Sequence, residues 1–146
     1  MSVVVTCNGC FQTIHPGHLF YLGFARGQGD ELIVGINSDF YISQKKGYVP
    51  VPAAERAAAL MDLDFIREVV IFNEPDPREF IRRIGPDVHC TGAEYSNGTC
   101  VEEDLCREMG IELVYVPRIG RWSTRAILNG EVSYDGNVKG EPSAQA

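Results

Sequence analysis

The sequence predicts an α/β protein whose mostly parallel, five-stranded sheet is doubly wound. Short apolar runs alternate with amphipathic or Ala-rich segments, and short polar stretches separate them. This alternation is typical of a parallel sheet with helices on both faces, the Rossmann-like arrangement. Ligands of such sheets bind outside the carboxyl ends of the strands, so the residues that follow each apolar run are the first candidates for a site.

The first strand is predicted from the three valines at residues 3–5, a β-branched run that ends at Asn8-Gly9. A helix is predicted over residues 17–26, where leucines and phenylalanines recur at helical spacing. A glycine directly after the last arginine of that segment ends the helix. The second strand is predicted over residues 31–36, which are rich in leucine, isoleucine and valine.

The middle of the chain repeats the pattern after a polar interval. Residues 41–52 are polar and carry no predicted helix or strand. The Ala-rich residues 53–63 are strongly helical in propensity, and residues 69–72 are a short apolar run that predicts the third strand. Helical periodicity returns at residues 78–84 and stops at a Gly-Pro pair.

The remaining elements follow from the same signals. They are a strand at residues 88–90, a helix at 102–109, a strand at 111–116 and a helix at 125–129. Residues 131–146 are rich in Gly, Ser and Glu and predict a flexible tail. The sequence therefore predicts one domain over residues 1–130, because this length supports a single core.

Composition excludes several classes of function. Acidic residues outnumber basic ones by 20 to 13, giving a net charge of -7 that disfavours nucleic-acid binding. No apolar run approaches the roughly 20 residues that a membrane span requires, and the first residues lack the basic start of a signal peptide. Five irregularly spaced cysteines fit a reducing compartment better than a disulfide scaffold. We therefore expect a soluble, cytoplasmic protein with no membrane or nucleic-acid partner.

The densest group of chemically active residues lies at residues 6–18, between the first predicted strand and helix. His15 and His18 flank Pro16-Gly17, and proline is favoured at the first position of a helix. Two imidazole donors at a helix N-terminus form a good site for an anion, and a triphosphate is the obvious candidate.

Three other interpretations of this segment remain open. The two histidines can be ordinary polar residues at a helix start. Cys7 and Cys10 together with His15 and His18 can be read as a zinc site, although zinc ligand pairs usually lie further apart. Cys7 and Cys10 can also be read as a redox pair, but the helix of such a motif begins at its first cysteine.

Five segments in order resemble the cytidylyltransferase-like nucleotidyltransferases across roughly residues 3–128. The first reads NGCFQTIHPGH and carries the HxGH signature that binds NTP phosphates in that family. The others read VGINSD, then KG followed by PVPAAER, then VVIFNE with PDVHCTGAEY, and finally VYVPRIGRWST. Within the family the likeness is greatest to the heptose 1-phosphate adenylyltransferase type. Glycerol 3-phosphate cytidylyltransferases are the nearest relatives of that type.

The resemblance implies a role for each matching residue. The implied catalytic residues are His15, His18 and Lys46. The implied nucleotide- or phosphate-binding residues are Asn8, Gly9, Cys10, Phe11, Gly17, Arg118, Ser123 and Thr124. The implied contacts to substrate or nucleotide are Asp39, Arg56, Gly92 and Glu94. No metal ligand from protein side chains is implied, and Mg²⁺ is expected to accompany the NTP.

The implied reaction is transfer of a nucleoside monophosphate, with release of pyrophosphate, from an NTP to a sugar or alcohol phosphate. ATP with heptose 1-phosphate is favoured, and CTP with glycerol 3-phosphate is the alternative. Gln12, Thr91 and Arg125 depart from the family pattern, and Gln12 and Arg125 motivate a third hypothesis, a nucleotide-binding module without catalysis. Relatives are often dimers, and the resemblance leaves a homodimer open.

Overall fold

Five parallel strands form the sheet in the computed structural model, which describes residues 2–48 and 51–118. The strands are β1 (Val4–Gly9), β2 (Glu31–Asn37), β3 (Glu68–Phe72), β4 (Val88–Gly92) and β5 (Glu112–Val116). Their order is β3-β2-β1-β4-β5, and all four pairings are parallel. The predicted five-stranded parallel sheet is confirmed.

Helices connect the strands. They are α1 (Pro16–Arg26), α2 (Asp39–Lys46), α3 (Ala53–Met61), α4 (Arg78–Ile84) and α5 (Glu103–Met109), with a 3₁₀ turn at Ala93–Tyr95. Within residues 2–48 and 51–118, no helix is long and apolar enough to span a bilayer. The predicted helix at 125–129, its cap Ser123-Thr124, Arg125 and the predicted tail at 131–146 lie outside the described residues.

The strand order creates a crevice beside the central strand. The chain passes from β1 outward through β2 to β3, then returns to the other side of β1 to form β4 and β5. The order of the strands therefore reverses between β1 and β4. Connections that leave adjacent strands toward opposite faces part from each other, so the carboxyl ends of β1 and β4 border an open space.

Two hydrophobic cores, one on each face of the sheet, hold the helices in place. On one face Leu22 and Leu60 of α1 and α3 pack with Val34 of β2. On the other face Phe80 of α4 and Leu105 of α5 share a cluster with strand residues that include Ile33. Ile33 and Val34 are consecutive in β2, and consecutive strand residues point to opposite faces. The strand β2 is therefore buried on both faces, as expected for an inner strand of a parallel sheet that helices cover on both sides.

Helix α2 was missed by the sequence prediction, which treated residues 41–52 as a polar stretch without a regular element. Its start is fixed by Ser38, whose hydroxyl accepts a hydrogen bond from the Tyr41 amide at 3.2 Å. Its end is fixed by Gly47 in a left-handed conformation with φ of 81°. Among the α2 residues whose burial the structure describes, Ile42 is buried and the others are partly or fully exposed. The helix is stabilised by the capping residues at its two ends. It has too few apolar residues for a helical hydrophobic period to appear in the sequence.

A substitution at Gly35 tests how closely α4 packs on the sheet. A methyl group at Gly35 would lie 2.7 Å from the Phe80 ring, which also stacks on Phe72. Because strand backbone and stacked rings cannot easily move apart, we expect Gly35→Ala to lower the free energy of unfolding by about 1–3 kcal/mol. Gly23→Ala is the control, since a methyl group at that helical position meets nothing within 4 Å, and it should stabilise by about 0.5–1 kcal/mol. Urea denaturation of both variants measures the difference, and equal midpoints would contradict this account of the packing.

Candidate active site

A cavity of about 710 Å³ opens at the carboxyl ends of β1, β4 and β5, beside the N-terminus of α1. This volume is typical of small-molecule sites. Most of the described residues that the sequence assigned to a site line this cavity: Asn8, Gly9, Cys10, Phe11, His15, Gly17, His18, Gly92, Glu94 and Arg118. Residues separated by more than a hundred positions in the chain thus meet at the edge of the sheet where the switch in strand order predicts a ligand.

The two histidines cap helix α1 reciprocally. The amide of His18 donates to Nδ1 of His15 at 3.3 Å, and the amide of His15 donates to Nδ1 of His18 at 3.4 Å. This is a capping box in which imidazole nitrogens replace the usual hydroxyl and carboxylate oxygens. Pro16 occupies the first helical turn, where its lack of an N–H costs nothing. The caps bring the rings into a stacked arrangement with centroids 3.7 Å apart.

The capping bonds decide which nitrogen of each ring carries the proton. An Nδ1 that accepts a backbone N–H cannot itself be protonated, so a neutral ring must carry its proton on Nε2. His15 is 4% exposed, His18 is half-buried, and both side chains line the cavity. The site therefore holds two imidazole N–H donors on neighbouring, neutral rings at a helix N-terminus.

Burial keeps both histidines neutral. The pKa of His18 is lowered to about 4, mainly by burial and then by the neighbouring His15, against a smaller opposing effect of a hydrogen bond with the Thr13 backbone. Burial also lowers the pKa of His15, and the positive charge of Arg118 adds to this effect. Protonation at Nδ1 would in addition remove a capping acceptor. Arg118 and His15 both line the cavity, and the lowered pKa of His15 indicates that the guanidinium charge acts on this imidazole.

Phe11 supports His18 from a left-handed backbone conformation. Its φ is 51°, which is unfavourable for a bulky residue and characteristic of functional turns. The ring centroid lies 5.0 Å from that of His18, and a methyl group at Gly9 would lie 2.8 Å from the Phe11 ring. The absence of a side chain at Gly9 thus leaves room for the ring that packs against the catalytic candidate His18.

Arg56 holds together the segments behind the cavity. It is 1% exposed, and its Nη1 donates to the carbonyls of Cys10 and Asn37 at 2.8 Å each. Its Nε donates to the carbonyl of Val51 at 2.9 Å, and its Nη2 donates to the carboxylate of Asp39 at 3.0 Å. Neither Arg56 nor Asp39 lines the cavity. These contacts favour a positioning role for the pair over the substrate contact that the sequence predicts.

Lys46 and Gln12 are not on the cavity wall. Lys46 is exposed at the last position of α2, directly before Gly47. Gln12 is 4% exposed, and its Oε1 accepts the amide of Val51 at 3.1 Å. Gln12 thus connects the segment before α3 to the β1–α1 turn through its side-chain amide oxygen.

Sequence reasoning missed several residues that line the cavity: Tyr21, Asn37, Tyr41, Asp76, Thr91, Tyr95, Thr99 and Glu102. Glu102 is 5% exposed, and its Oε1 lies 3.5 Å from Nε2 of the fully buried His89. Burial by itself raises the pKa of Glu102, but the combined effect of His89, the Glu102 backbone N–H and the Cys100 thiol outweighs it, so the pKa lies below its usual value. A histidine inside a strand that is otherwise apolar was the one available signal for this pair.

The alternative chemistries of the first segment find no support in the geometry. Cys7 lies inside β1 and is fully buried, so it does not begin a helix as a redox pair would require. Nδ1 of His15 and of His18 are used as caps. In the part of the chain that the structure describes, which includes all four zinc candidates, His, Cys, Asp and Glu side chains form no metal-binding group of three or more.

A family model described as cytidylyltransferase-like matches residues 6–126. Among curated relatives, the bifunctional protein HldE of Campylobacter concisus is 43% identical over 108 residues, which are 73% of this chain and 23% of the relative. The bifunctional protein HldE of Gluconobacter oxydans is 37% identical over 129 residues, which are 87% of this chain and 27% of the relative. The chain thus spans about a quarter of the length of these relatives.

Solved structures of low sequence identity share the fold. A lipopolysaccharide core biosynthesis protein from Thermoplasma volcanium superposes with a TM-score of 0.64 at 24% identity, covering 84% of this chain and all of that one. Pantothenate synthetase from Thermus thermophilus superposes with a TM-score of 0.63 at 14% identity, covering 92% of this chain and 63% of that one. The Rossmann-like class predicted from the sequence is therefore confirmed.

Arg56→Lys separates a positioning role from a substrate contact. A lysine cannot reproduce the forked contacts, so buried carbonyls and the Asp39 carboxylate lose their partners. We expect the free energy of unfolding to fall by about 2–4 kcal/mol in urea denaturation. Arg67→Lys is the control, since the exposed Arg67 forms a surface ion pair with Glu31 and should change stability by less than about 1 kcal/mol. Unchanged stability in Arg56→Lys, together with a raised KM, would instead assign Arg56 to the substrate.

Anion binding at the histidines should be visible in the titration of His18. A bound polyphosphate favours the charged imidazolium, so inorganic pyrophosphate should raise the pKa of His18 from about 4 toward its ordinary range. NMR titration of the ring protons measures the change, with His18→Gln to assign the resonances and sodium chloride at equal ionic strength as control. If pyrophosphate binds without moving the titration of His18, the anion lies elsewhere.

Proposed function

The chain belongs to the cytidylyltransferase-like family of nucleotidyltransferases, and we propose that it transfers a nucleoside monophosphate from an NTP to a sugar phosphate. Pyrophosphate is the other product. ATP is the favoured nucleotide and heptose 1-phosphate the favoured acceptor. The observation that carries the proposal is the pair of imidazole donors that cap α1 inside the cavity at the switch in strand order.

The reaction needs no covalent intermediate. An oxygen of the acceptor phosphate attacks the α-phosphorus in line, the bond to the β-phosphate oxygen breaks, and pyrophosphate leaves. Negative charge accumulates on the non-bridging α-oxygens and on the leaving group, so positioning and preorganised donors supply the catalysis. The Nε2 protons of His15 and His18, fixed by the caps, are suited to this task because they need no reorientation when charge develops.

Bringing two anions together requires a cation. In water, two unit charges 4 Å apart repel by roughly 1 kcal/mol, and in a dry cleft by several-fold more. We assign this role to Lys46, which would bridge the acceptor phosphate and the α-phosphate. Lys46 is exposed at the end of α2, so its assignment requires the side chain to move toward the cavity when substrates bind.

The β- and γ-phosphates are assigned to Arg118, Ser123 and Thr124. Arg118 lines the cavity directly after β5, which supports its part in this assignment. The two hydroxyl residues follow outside the described range, where the family likeness alone supports them. Mg²⁺ would enter on the triphosphate and neutralise part of its charge. No described group of three or more His, Cys, Asp or Glu side chains could hold that ion independently of the nucleotide.

The acceptor is proposed from the relatives. The curated relatives at 37–43% identity are proteins named HldE, and a solved structure of the same fold is titled a lipopolysaccharide core biosynthesis protein. Together with Cys10, with Ser38-Asp39 after the second strand and with Gly92 near the fourth, these likenesses favour a heptose 1-phosphate over glycerol 3-phosphate. Since the chain covers about a quarter of those relatives, their remaining activity is not assigned to it.

A turnover screen tests the function. Each of the four NTPs is combined with heptose 1-phosphate or glycerol 3-phosphate, and pyrophosphate release is measured. We expect release with ATP and heptose 1-phosphate, and a kcat lower by at least about 100-fold in His18→Ala, because one donor to the developing charge is lost. Arg107→Ala, an exposed change on α5, is the control and should retain full activity.

The outcomes of the screen separate the hypotheses. Release with CTP and glycerol 3-phosphate alone would select the cytidylyltransferase alternative. Nucleotide binding by calorimetry without release of pyrophosphate from any pair would select the non-catalytic module. Equal kcat in His18→Ala and the unmodified protein would remove His18 from the mechanism.

A further inference from the structure

A buried polar chain runs from the centre of the sheet to the cavity wall. Thr6 of β1 and His89 of β4 are register partners on adjacent strands, and Thr6 Oγ1 lies 2.7 Å from Nδ1 of His89. Both residues are 0% exposed. Nε2 of His89 faces Glu102, and Glu102 in turn lines the cavity at the start of α5.

The donors and acceptors in this chain can be assigned from chemistry. An ionised carboxylate only accepts hydrogen bonds, so the Nε2 of His89 that faces Glu102 carries the proton. In a neutral ring Nδ1 is then an acceptor, and the Thr6 hydroxyl donates to it. Oε1 is the carboxylate oxygen of Glu102 nearest to Nε2 of His89, and the Cys100 thiol also bonds this carboxylate. Because Glu102 lines the cavity, its carboxylate can accept further hydrogen bonds there.

A gain in stability does not explain why Thr6, His89 and Glu102 are buried together. A buried ion pair or polar pair usually contributes no more than apolar residues of the same volume, because desolvation cancels most of the attraction. The strands on either side are built from valine, leucine and isoleucine, which would fill the same space. A carboxylate that is buried at this cost on the wall of a ligand cavity is better explained by what it binds.

The charge of Glu102 restricts its ligand. It repels phosphate, so it must face a part of the substrate that carries neither phosphate nor other negative charge. Among the uncharged groups of the proposed substrates, the hydroxyls and the amino group of the base can donate to a carboxylate. Adenine and cytosine, the bases of the two proposed nucleotides, set a ring nitrogen acceptor beside the amino group, and a carboxylate without a donor repels that acceptor. Guanine, whose N1–H and amino group are both donors, is the base of neither proposed nucleotide. A vicinal diol presents only donors to a carboxylate, as a ribose does to the acidic residue of dinucleotide-binding folds.

We propose that Glu102, oriented by His89 and Thr6, is the specificity-determining residue that binds a vicinal diol of the substrate in the cavity. The inference rests on the proposed function and deepens it, because both a nucleotide and a sugar phosphate carry such hydroxyls. His89 and Thr6 act through Glu102 as positioning residues. The diol belongs either to the ribose of the NTP or to the sugar acceptor, and the experiment distinguishes these two sources.

The test compares Glu102→Gln with Glu103→Gln. Glu103 is the next residue, pairs with Arg107 on the surface and does not line the cavity, so its variant controls for the loss of one charge. One arm measures binding of ATP, 2′-deoxyATP and 3′-deoxyATP by calorimetry. The other arm measures kcat/KM for the sugar phosphate and for analogues that lack one hydroxyl. A hydrogen bond to a charged group predicts that the unmodified protein prefers the complete diol by about 10- to 100-fold in one arm.

In Glu102→Gln the preference should fall to within about 3-fold in that same arm, while Glu103→Gln should retain it. The unmodified protein alone is already a test, so the inference can fail even if Glu102→Gln does not fold. Equal affinity for complete and deoxy ligands in both arms would overturn it. A change in the preference for ATP over inosine triphosphate, with the diol preference intact, would also overturn it, because Glu102 would then bind the base.

The two proposals fail differently. Nucleotide binding that depends on the ribose hydroxyls and on Glu102, without any release of pyrophosphate, would overturn the proposed function and leave this inference standing. Release of pyrophosphate with no diol preference in either arm would support the proposed function and overturn this inference. A protein that binds neither ATP nor a sugar phosphate would overturn both.

Discussion

The reciprocal hydrogen bonds between His15 and His18 are the interaction on which the site depends. A helix that begins at the carboxyl end of a central strand has backbone N–H groups that need acceptors. Here the acceptors are the Nδ1 atoms of the two side chains that the proposed mechanism uses. One pair of bonds therefore starts α1, fixes both tautomers and stacks both rings on the cavity wall. The catalytic candidates are ordered by the folding of the helix itself.

Behind the cavity, one buried side chain likewise contacts several segments of the protein. The guanidinium of Arg56 reaches the end of β1 at Cys10, the end of β2 at Asn37, the start of α2 at Asp39 and the approach to α3 at Val51. A single buried cation, satisfied by three carbonyls and one carboxylate, thus adds to the pairing of β1 with β2 and to the bond between Gln12 and Val51 in aligning these segments behind the cavity.

Charge divides the cavity into two parts by function. Neutral imidazoles, the N-terminus of α1 and Arg118 line one part of the wall, and they are the donors that the proposed function assigns to a polyphosphate. The wall also carries the carboxylates of Asp76, Glu94 and Glu102, of which Asp76 is paired with Arg78 and Glu102 faces the imidazole of His89. An acidic protein can bind an acidic substrate in this way, because its local donors and not its net charge of -7 face the phosphates.

The sequence by itself determined the alternation of strands and helices, the parallel sheet and the position of His15 and His18 at a helix start. Local signals in the sequence predict these features. They are the period of the apolar residues, the glycines and prolines that end the elements, and one short motif. Only the tertiary structure decided that α2 is a helix, that Arg56 binds the protein's own carbonyls and that Glu102 reaches the cavity supported by His89. Each of these depends on contacts between residues far apart in the chain, such as Thr6 with His89 and Cys10 with Arg56. Hydrophobic periodicity carries no information about such pairs, because the packing of the sheet and not the spacing of residues brings their polar atoms together.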